Sequence, residues 1–402
     1  MPTVGILLGE RDLRRAMRGL THERLPAYQR AARRWGLQVV FFSPRGIRWR
    51  DRTVQGYVYR RRRYRRVRVP LPRVIHRRII ASSAFSRRVV RRLARLPGVR
   101  MFNPPMSRHK LVVHRKLRRV IARALPVTRP LRRPADALAL LRRFRSVYVK
   151  PALGSAGRDV HRIDALQGFY RVVSWTGERQ ILGRGGLVRW LRHRSGRGYL
   201  VQQGINLARY RGRRYDIRVW VQRGADGRWQ VTGMWPRLAA RHMPVSNMAR
   251  EGRRGDLGRV LRRSIPRVPA ALLRRRLRRL ALAVAQGLAR RHPAVADLGL
   301  DLALDRRGKA WFLEANMRQQ RWAPSALRRA PRAFMRQYAT PMAHAAYLLG
   351  LTRRRQEGAG TTAAAEPAAA AGPGGGNPAG NGATAGGAPA GPGTTPASPS
   401  DT

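Results

Sequence analysis

The sequence contains no cysteine among its 402 residues. This absence excludes disulfide frameworks, thiolate metal sites and cysteine nucleophiles. The nine histidines never lie three or four residues apart, so a zinc-binding pair on one helix is not expected. No apolar run approaches the ~20 residues that cross a bilayer, and the short run Val4–Leu8 does not make a signal peptide. The sequence therefore predicts a cytoplasmic protein without a transmembrane segment.

Acidic residues and lysines are also scarce. The chain has 19 Asp and Glu against 86 Lys and Arg, which gives a net charge of +67, and its only lysines are Lys110, Lys116, Lys150 and Lys309. Codon bias toward arginine explains the kind of base, but it does not explain the shortage of acids. Such a charge attracts polyanions such as nucleic acid or anionic polymers. A lysine that persists against this background marks a site that needs a compact ammonium group.

The order of predicted elements indicates an α/β fold. Thr3–Leu8 and Leu37–Phe42 read as buried strands around a helix at 27–35, which is the start of a βαβ unit. Residues 56–70 predict a further strand or ribbon, and residues 82–96 predict a helix. Short strands alternate with helices after this region.

A proline-containing interruption and a change in composition divide the sequence into three segments. Asn103-Pro104-Pro105 interrupts the pattern, so we predict an α/β domain at 1–105 and a second domain at 106–350. Residues 351–402 are predicted to form a disordered tail, because a stretch dominated by Ala, Gly, Pro, Thr and Ser cannot bury enough apolar surface. The clearest helix of the second domain is predicted at 269–291, with leucines on one face and solvated arginines off it.

The strongest local signal is a hairpin at 299–316, where two stretches of period 2 flank a glycine-containing loop. If Asp305 pairs with Ala310, Asp301 lies directly opposite Glu314, with Cβ atoms about 4.5–5.5 Å apart. Two carboxylates so placed repel each other unless a proton or a cation lies between them. Such oxygen ligands suit Mg²⁺ or Mn²⁺. The alternative is an exposed acidic hairpin without a ligand.

Two other stretches present basic groups. The strand at 147–150 delivers Lys150 to a small-residue loop at 152–157, whose glycines would let backbone N–H groups approach phosphate oxygens. An ordinary turn is the alternative for this loop. Alternation over 215–222 places Arg218 on one strand face, where it would clamp a phosphate or carboxylate, or pair with a neighbouring acid.

Taken in order, these pieces resemble the ATP-grasp superfamily and, within it, the YheC/YheD family of endospore coat-associated proteins. The resemblance extends from about Val4 to Leu349. The matching stretches are 56–72, Lys110, 125–128, 202–205, 215–219, 299–301 and 314–316. It implies an α/β ATP-grasp fold preceded by a Rossmann-like pre-ATP-grasp domain.

The resemblance also implies a role for each matching residue. The residues that would bind the nucleotide are Lys110, Lys150, Gly154, Ser155, Gly157, Gln202, Gln203, Gly204 and Ile205. Arg218 and Lys150 would act on the transferred phosphoryl group, and Asp301, Glu314 and Asn316 would hold Mg²⁺ or Mn²⁺. Asn247 would face the same cleft. Asp159 stands where the family loop commonly has a glycine, and Gln319 stands where a proline often follows the last metal ligand.

Two functions are compatible with this resemblance. The first is an ATP-dependent ligase that joins a carboxylate to an amine or thiol through an acyl phosphate. The second is a spore-coat-associated structural or polyanion-binding protein that retains the fold with little catalysis, which the arginine-rich stretches 60–66 and 274–279 favour. A dedicated nucleic-acid-binding protein is a third interpretation, because tyrosines interleave with arginines in 57–64, although no recognised motif accompanies them.

Overall fold

The residues that the structure describes form three β-sheets, each packed against helices. The computed structural model describes residues 1–107, 109–154, 157–240, 253–318, 321 and 331–352. Apart from its first two residues, the predicted tail lies outside the described residues. The described residues belong to one compact unit, and the domain boundaries at 105 and 350 stay predictions. None of the helices in the described ranges is long and apolar enough to cross a membrane.

The first sheet confirms the βαβ start. Its strands are Thr3–Leu7 (β1), Gln38–Phe42 (β2), Ile47–Arg48 (β3), Thr53–Arg60 (β4), Arg63–Pro70 (β5), Val74–Arg77 (β6) and Arg100–Phe102 (β7). The order is β3-β4-β2-β1-β6-β7, with β5 paired to β4, and β1 runs parallel to both β2 and β6. The helices are Glu10–Met17 (α1), Leu25–Arg33 (α2) and Ala84–Arg95 (α3).

Local sequence explains most of these elements. The predicted ribbon at 56–70 is the hairpin of β4 and β5. The predicted helix at 82–96 is α3, which begins after Ser83 because the Ser83 hydroxyl accepts a hydrogen bond from the Ser86 N–H at 3.1 Å. Helix α1 was not predicted, since only Leu13 and Ala16 of its eight residues are buried and the apolar pattern is correspondingly sparse.

The second sheet carries one half of the candidate site. Its strands are Thr128–Pro130 (β8), Ser146–Pro151 (β9), His161–Ala165 (β10), Tyr170–Val173 (β11), Arg179–Leu182 (β12) and Tyr199–Gln203 (β13). The order is β12-β11-β10-β9-β13-β8. The helices of this region are Lys110–Ile121 (α4), Pro134–Phe144 (α5) and Arg184–Arg192 (α6). Val147, Val149 and Val201 point into the core under α5 and α6, so Tyr148 and Lys150 point to the opposite face.

The third sheet carries the other half. Its strands are Arg209–Tyr210 (β14), Arg213–Arg223 (β15), Trp229–Leu238 (β16), Arg253–Arg254 (β17), Asp297–Leu304 (β18) and Ala310–Asn316 (β19). The order is β17-β16-β15-β18-β19, with β14 paired to β15. The described helices after α6 are Leu257–Ser264 (α7), Ala270–Ala289 (α8) and Pro331–Leu348 (α9).

The longest helix and its strand neighbours confirm the predicted patterns. Helix α8 buries the predicted apolar stripe, Leu273, Leu277, Leu280, Val284 and Leu288, while Arg274, Arg275, Arg278 and Arg279 are exposed. Ile217, Val219 and Val221 of β15 join the same core. Alternation along β15 therefore leaves Asp216 and Arg218 on the other face of the sheet. Helix α9 packs into the core of the first sheet, against α2 and β6, and also contacts β15 and β16 of the third sheet.

A buried charge cluster, composed of Glu23, Arg78, Asp297 and Arg321, joins the first sheet to the third. Arg78 Nε donates to Glu23 Oε1 at 3.0 Å, and Arg321 Nη2 donates to Asp297 Oδ2 at 2.8 Å. Burial alone would raise the pKa of Glu23, but Arg78 and Arg321 outweigh it and lower that pKa to about 2. The cluster therefore stays ionised, and breaking one of its pairs would leave an uncompensated buried charge.

Asn103 makes a second junction between these sheets. It follows β7 with a φ of 60°, in the left-handed region that Asn tolerates better than most residues. Its Oδ1 accepts hydrogen bonds from the N–H groups of Ala296 and Asp297 at 2.8 and 2.9 Å, and its Nδ2 donates to the carbonyl oxygen of Met317 at 2.9 Å. The residue that punctuates the sequence is thus a buried connector beside both strands of the β18–β19 hairpin.

Candidate functional site

The predicted acidic pair forms on the third sheet. Asp301 of β18 lies directly opposite Glu314 of β19, and Asn316 lies opposite Gly299 two residues further along. The predicted pairing of Asp305 with Ala310 is wrong, because Ala310 pairs with Leu304. The connecting loop is therefore one residue longer than expected at its β18 end.

A β-bulge restores the predicted register. The pairing shifts between Asp301 and Leu302, so that Leu313 is an extra residue between the pairs formed by Phe312 and by Glu314. Phe312 lies in the core with Leu302. Without the bulge, alternation from Phe312 would send Glu314 toward that core. The bulge places Glu314 on the face of Asp301 instead.

Two arginines form ion pairs with the carboxylate of Asp301. Arg218 Nε donates to Asp301 Oδ1 at 2.5 Å, and Arg237 Nη2 lies 2.9 Å from Asp301 Oδ2. Burial would raise the pKa of Asp301, but the charges of Arg218 and Arg237 hold it below its ordinary value. The sequence allowed Arg218 either to bind a phosphate or carboxylate or to pair with a neighbouring acid. In the structure it pairs with the neighbouring acid Asp301.

The pKa of Glu314 is shifted in the opposite direction from the pKa of Asp301. Burial and the negative charge of Asp301 raise its pKa, although Lys110, Lys150 and Arg218 act against this rise. Within the described ranges, Glu314 forms no salt bridge. A carboxylate of this kind is stabilised by any cation that binds between it and Asp301.

The two candidate lysines belong to helix α4 and to strand β9 of the second sheet. Lys110 begins α4, and its Nζ donates to the carbonyl oxygens of Pro151 and Gly154, both at 3.2 Å. Lys150 is the next-to-last residue of β9, and its Nζ donates to Gln202 Oε1 at 2.6 Å. Burial lowers the pKa of both lysines, and the nearby positive charge of Lys110 helps to lower that of Lys150 to about 8. The structure therefore brings both lysines into the electrostatic field of Glu314.

The glycine loop connects β9 to β10. Gly154 and Gly157 have φ values of 147° and 67°, which an L residue would adopt only with strain. Ser155 lies outside the described residues. Asp159 also has a positive φ, of 56°. Its carboxylate accepts hydrogen bonds from His161 Nε2 at 2.6 Å and from the Tyr199 hydroxyl, so it is anchored at the base of the loop.

The stretch Gln202–Ile205 lies where β13 leaves the second sheet. Gln202 Nε2 donates to Thr128 Oγ1 at 2.7 Å, so the side chain that accepts from Lys150 is itself fixed by β8. The N–H groups of Gln203 and Gly204 donate to the carbonyl oxygens of Val127 and Ser146, both at 2.8 Å. These bonds tie Gln203 and Gly204 to the strands on either side of β13.

Sequence reasoning missed Arg237. It lies on β16 directly opposite Asp216, and its guanidinium donates to both carboxylate oxygens of Asp216 at 2.6 and 2.7 Å. A hairpin turn at 224–228 signals a partner strand, but a register shift between Trp220 and Val221 is also needed to align these two residues. Asn247 and Gln319 lie outside the described residues.

The donor set fits a hard divalent cation. Asp301, Glu314 and Asn316 contribute two carboxylates and one amide, all with oxygen donors. Among the described residues, no group of three His, Asp or Glu side chains is placed to hold a metal ion. A cation held by these three side chains would complete its coordination with water and phosphate oxygens, as Mg²⁺ commonly does.

Two curated relatives are similar to this chain in sequence. Endospore coat-associated protein YheD of Bacillus subtilis (strain 168) is 25% identical over 293 residues, which are 70% of this chain and 64% of that protein. Endospore coat-associated protein YheC of the same organism is 23% identical over 233 residues, 57% of this chain and 63% of that protein. The chain thus spans less than two thirds of the length of either relative.

The same fold occurs in a solved ligase complex. The ATP-grasp ligase PsnB in complex with a minimal precursor, Mg and ADP aligns over 87% of this chain and 98% of its own, with 12% identity and a TM-score of 0.50. At this identity the likeness shows the fold alone. The profile described as YheC/D like ATP-grasp matches residues 98–348, well over half of the sequence. The chain therefore belongs to the YheC/D-like ATP-grasp family.

Proposed function

We propose that this protein binds ATP with Mg²⁺ and uses it to activate a carboxylate for ligation to an amine or thiol. The observation that carries the proposal is that the charges of two partly buried lysines, Lys110 of α4 and Lys150 of β9, act on Glu314, which lies opposite Asp301 on the third sheet. Lysines supply positive charge to phosphate oxygens, and the acidic pair suits the cation that accompanies them. The ADP and Mg in the ligase PsnB support the same assignment.

Different residues would serve different parts of the phosphoryl transfer. A substrate carboxylate oxygen attacks the γ-phosphorus, an O–P bond forms, the bond to the β,γ-bridging oxygen breaks, and ADP leaves. Lys110, Lys150 and Arg218 neutralise the charge that develops on the phosphate oxygens. Asp301, Glu314 and Asn316 would hold Mg²⁺, which supplies further positive charge when bound. An amine or thiol then attacks the acyl carbon, phosphate leaves, and the nucleophile loses its proton to solvent.

Calorimetric titration with ATP and Mg²⁺ tests the binding step. Salt must be high enough to suppress non-specific phosphate binding by a protein of net charge +67. Saturable binding by the wild type that Glu314→Ala abolishes supports the proposal. The matched control is Glu178→Ala, because Glu178 is an exposed acid on the turn between β11 and β12. Equal binding by the wild type and Glu314→Ala would overturn it.

Trapping with hydroxylamine tests the chemical step. Hydroxylamine converts an acyl phosphate into a stable hydroxamate, so amino acids and dipeptides can be screened without knowing the natural nucleophile. We expect hydroxamate together with stoichiometric ADP from the wild type and neither from Glu314→Ala. ATP hydrolysis that no carboxylate accelerates would argue against a ligase of this substrate class.

A second candidate is binding of a polyanion through the arginine-rich β4–β5 hairpin. Arg61, Arg62, Arg65 and Arg66 are exposed there, and Arg68 pairs with Asp51. The names of the relatives, both coat-associated, make such a role worth testing. Binding of this kind should fall steeply with salt and be unaffected by Glu314→Ala. ATP binding by a ligase should persist at high salt and be abolished by Glu314→Ala.

A further inference from the structure

The guanidinium of Arg237 lies between two buried carboxylates. Its Nε and Nη2 donate to Asp216 at 2.6 and 2.7 Å, and the same Nη2 lies 2.9 Å from Asp301 Oδ2. Asp216 and Asp301 are each only 7% exposed. Burial alone would lower the pKa of Arg237, but the two acids raise it above its ordinary value, so the guanidinium stays charged.

This arrangement sets up a competition for Asp301. A cation held by Asp301 and Glu314 must share Asp301 with the positive charges of both Arg218 and Arg237. Arg237 makes two hydrogen bonds to Asp216 and one contact with Asp301, so the two carboxylates share its charge. Electrostatic effects at such short distances are strong because the groups are shielded from water.

We propose that Asp216 is a positioning residue that sets the affinity of the Asp301–Glu314 site for a divalent cation by sharing the guanidinium of Arg237, so that Arg237 does not pair with Asp301 alone. The inference rests on the proposed function, which places the cation at this pair. It adds a residue that lies outside the ligand set and acts through Arg237. Asp216 lies in the 215–219 stretch that carries part of the family resemblance, but within that stretch the resemblance implies a role only for Arg218.

Removing the charge of Asp216 should redirect Arg237. In Asp216→Asn the side chain keeps its size and one acceptor oxygen, but it no longer neutralises the guanidinium. Arg237 then pairs more fully with Asp301, and the cation must displace it. We expect the dissociation constant for Mn²⁺ to rise at least tenfold. Arg237→Gln removes the competitor, so the double variant Asp216→Asn/Arg237→Gln should bind Mn²⁺ within about threefold of Arg237→Gln alone.

Mn²⁺ binding to the full chain can be measured without any substrate, from the electron paramagnetic resonance signal of the free ion. The matched control is Asp226→Asn, because Asp226 is an exposed acid in the turn that joins β15 to β16. Thermal unfolding of each variant without metal shows whether it is folded. Recovery of affinity in the double variant distinguishes electrostatic positioning from a structural role, since structural damage would persist or add.

The outcomes separate this inference from the proposal beneath it. Failure of the wild type to bind Mn²⁺, or equal binding by Glu314→Gln, would overturn the cation site and this inference with it. Binding that depends on Glu314 but is unchanged in folded Asp216→Asn would overturn the inference alone. An equal loss in Asp216→Asn and in the folded double variant, with normal binding by Arg237→Gln, would assign Asp216 a structural role and also overturn the inference.

Discussion

Lys150 donates a 2.6 Å hydrogen bond from Nζ to Oε1 of Gln202 on the neighbouring strand. Gln202 is 5% exposed and is fixed in turn by Thr128. The ammonium group is therefore held in place by a neutral acceptor that leaves its charge uncompensated. Such a group is positioned for an anion before the anion arrives, which reduces the ordering cost of binding.

The lowered pKa of Lys150 makes ATP binding dependent on pH. Burial lowers that pKa to about 8, and bound phosphate would restore it toward the ordinary value because it favours the charged form. Binding at pH 8 should then take up about half a proton, and the dissociation constant should rise about tenfold between pH 7 and pH 9. Calorimetry in buffers of different ionisation enthalpy measures the proton uptake.

The arginine variant provides the control for this linkage. Arginine stays protonated throughout this range, so Lys150→Arg should bind more weakly but with a flat pH profile. An unchanged pH dependence in Lys150→Arg would assign the titration to another group.

Acid should weaken the buried charge cluster through Glu23. Because the pKa of Glu23 is lowered from 4.5 to about 2, its stabilising contribution is complete above pH 4.5 and is lost as the pH falls toward 2. The shift corresponds to about 3 kcal/mol. Glu23→Gln should lower the free energy of unfolding by that order at pH 7, and its difference from the wild type should shrink below pH 4.5.

Urea denaturation at several pH values measures this difference. Glu178→Gln replaces an exposed acid and should change the free energy of unfolding by less than about 0.5 kcal/mol. A Glu23→Gln effect that stayed constant from pH 7 to pH 3 would contradict an ionised role for Glu23.

Asn103 should be one of the least replaceable residues outside the candidate site. Asn103→Ala would leave the buried N–H groups of Ala296 and Asp297 without their acceptor and would force a φ of 60° on a residue that disfavours it. We expect a loss of about 3 kcal/mol or more in the free energy of unfolding. Asn103→Gly should recover about 1 kcal/mol of that loss, because glycine accepts this φ without strain.

The comparison of the two variants by urea denaturation separates the hydrogen bonds from the backbone conformation. Asn206→Ala, at an exposed position, is the control. Losses below about 1 kcal/mol in both Asn103 variants would mean that the junction contributes little to stability.

Gly204 should tolerate no side chain at the end of β13. A Cβ atom there would lie 2.8 Å from the carbonyl oxygen of Ser146, which also accepts the Gly204 N–H hydrogen bond. We expect Gly204→Ala to cost about 1–3 kcal/mol and to weaken ATP binding, because β9 and β13 must separate two residues from Gln202, the acceptor that fixes Lys150. Thermal unfolding and calorimetry measure the two effects.

Gly185 offers a matched glycine inside α6. The nearest atom to a Cβ at that position is Arg189 Nη1 at 3.9 Å, so Gly185→Ala should be stabilising by up to about 1 kcal/mol. If Gly204→Ala behaved like Gly185→Ala, the close approach to Ser146 would have no energetic consequence.

The sequence by itself determined the elements and the chemistry they carry. Period-2 alternation identified β15, β18 and β19, and the apolar stripe identified α8, because these patterns reflect which side chains leave water. The scarcity of lysines and acids directed attention to Lys110, Lys150, Asp301 and Glu314. Helix α1 escaped detection because only two of its residues are buried.

Only the tertiary structure decided how these residues meet. The pairing of Asp301 with Glu314 results from a longer loop and a bulge at Leu313 that compensate each other, and a bulge beside Trp220 similarly aligns Asp216 with Arg237. Bulges depend on packing across the whole sheet, since one extra residue reverses which face every later side chain occupies. The sequence lists the charged groups, but the sheet register determines which of them become neighbours.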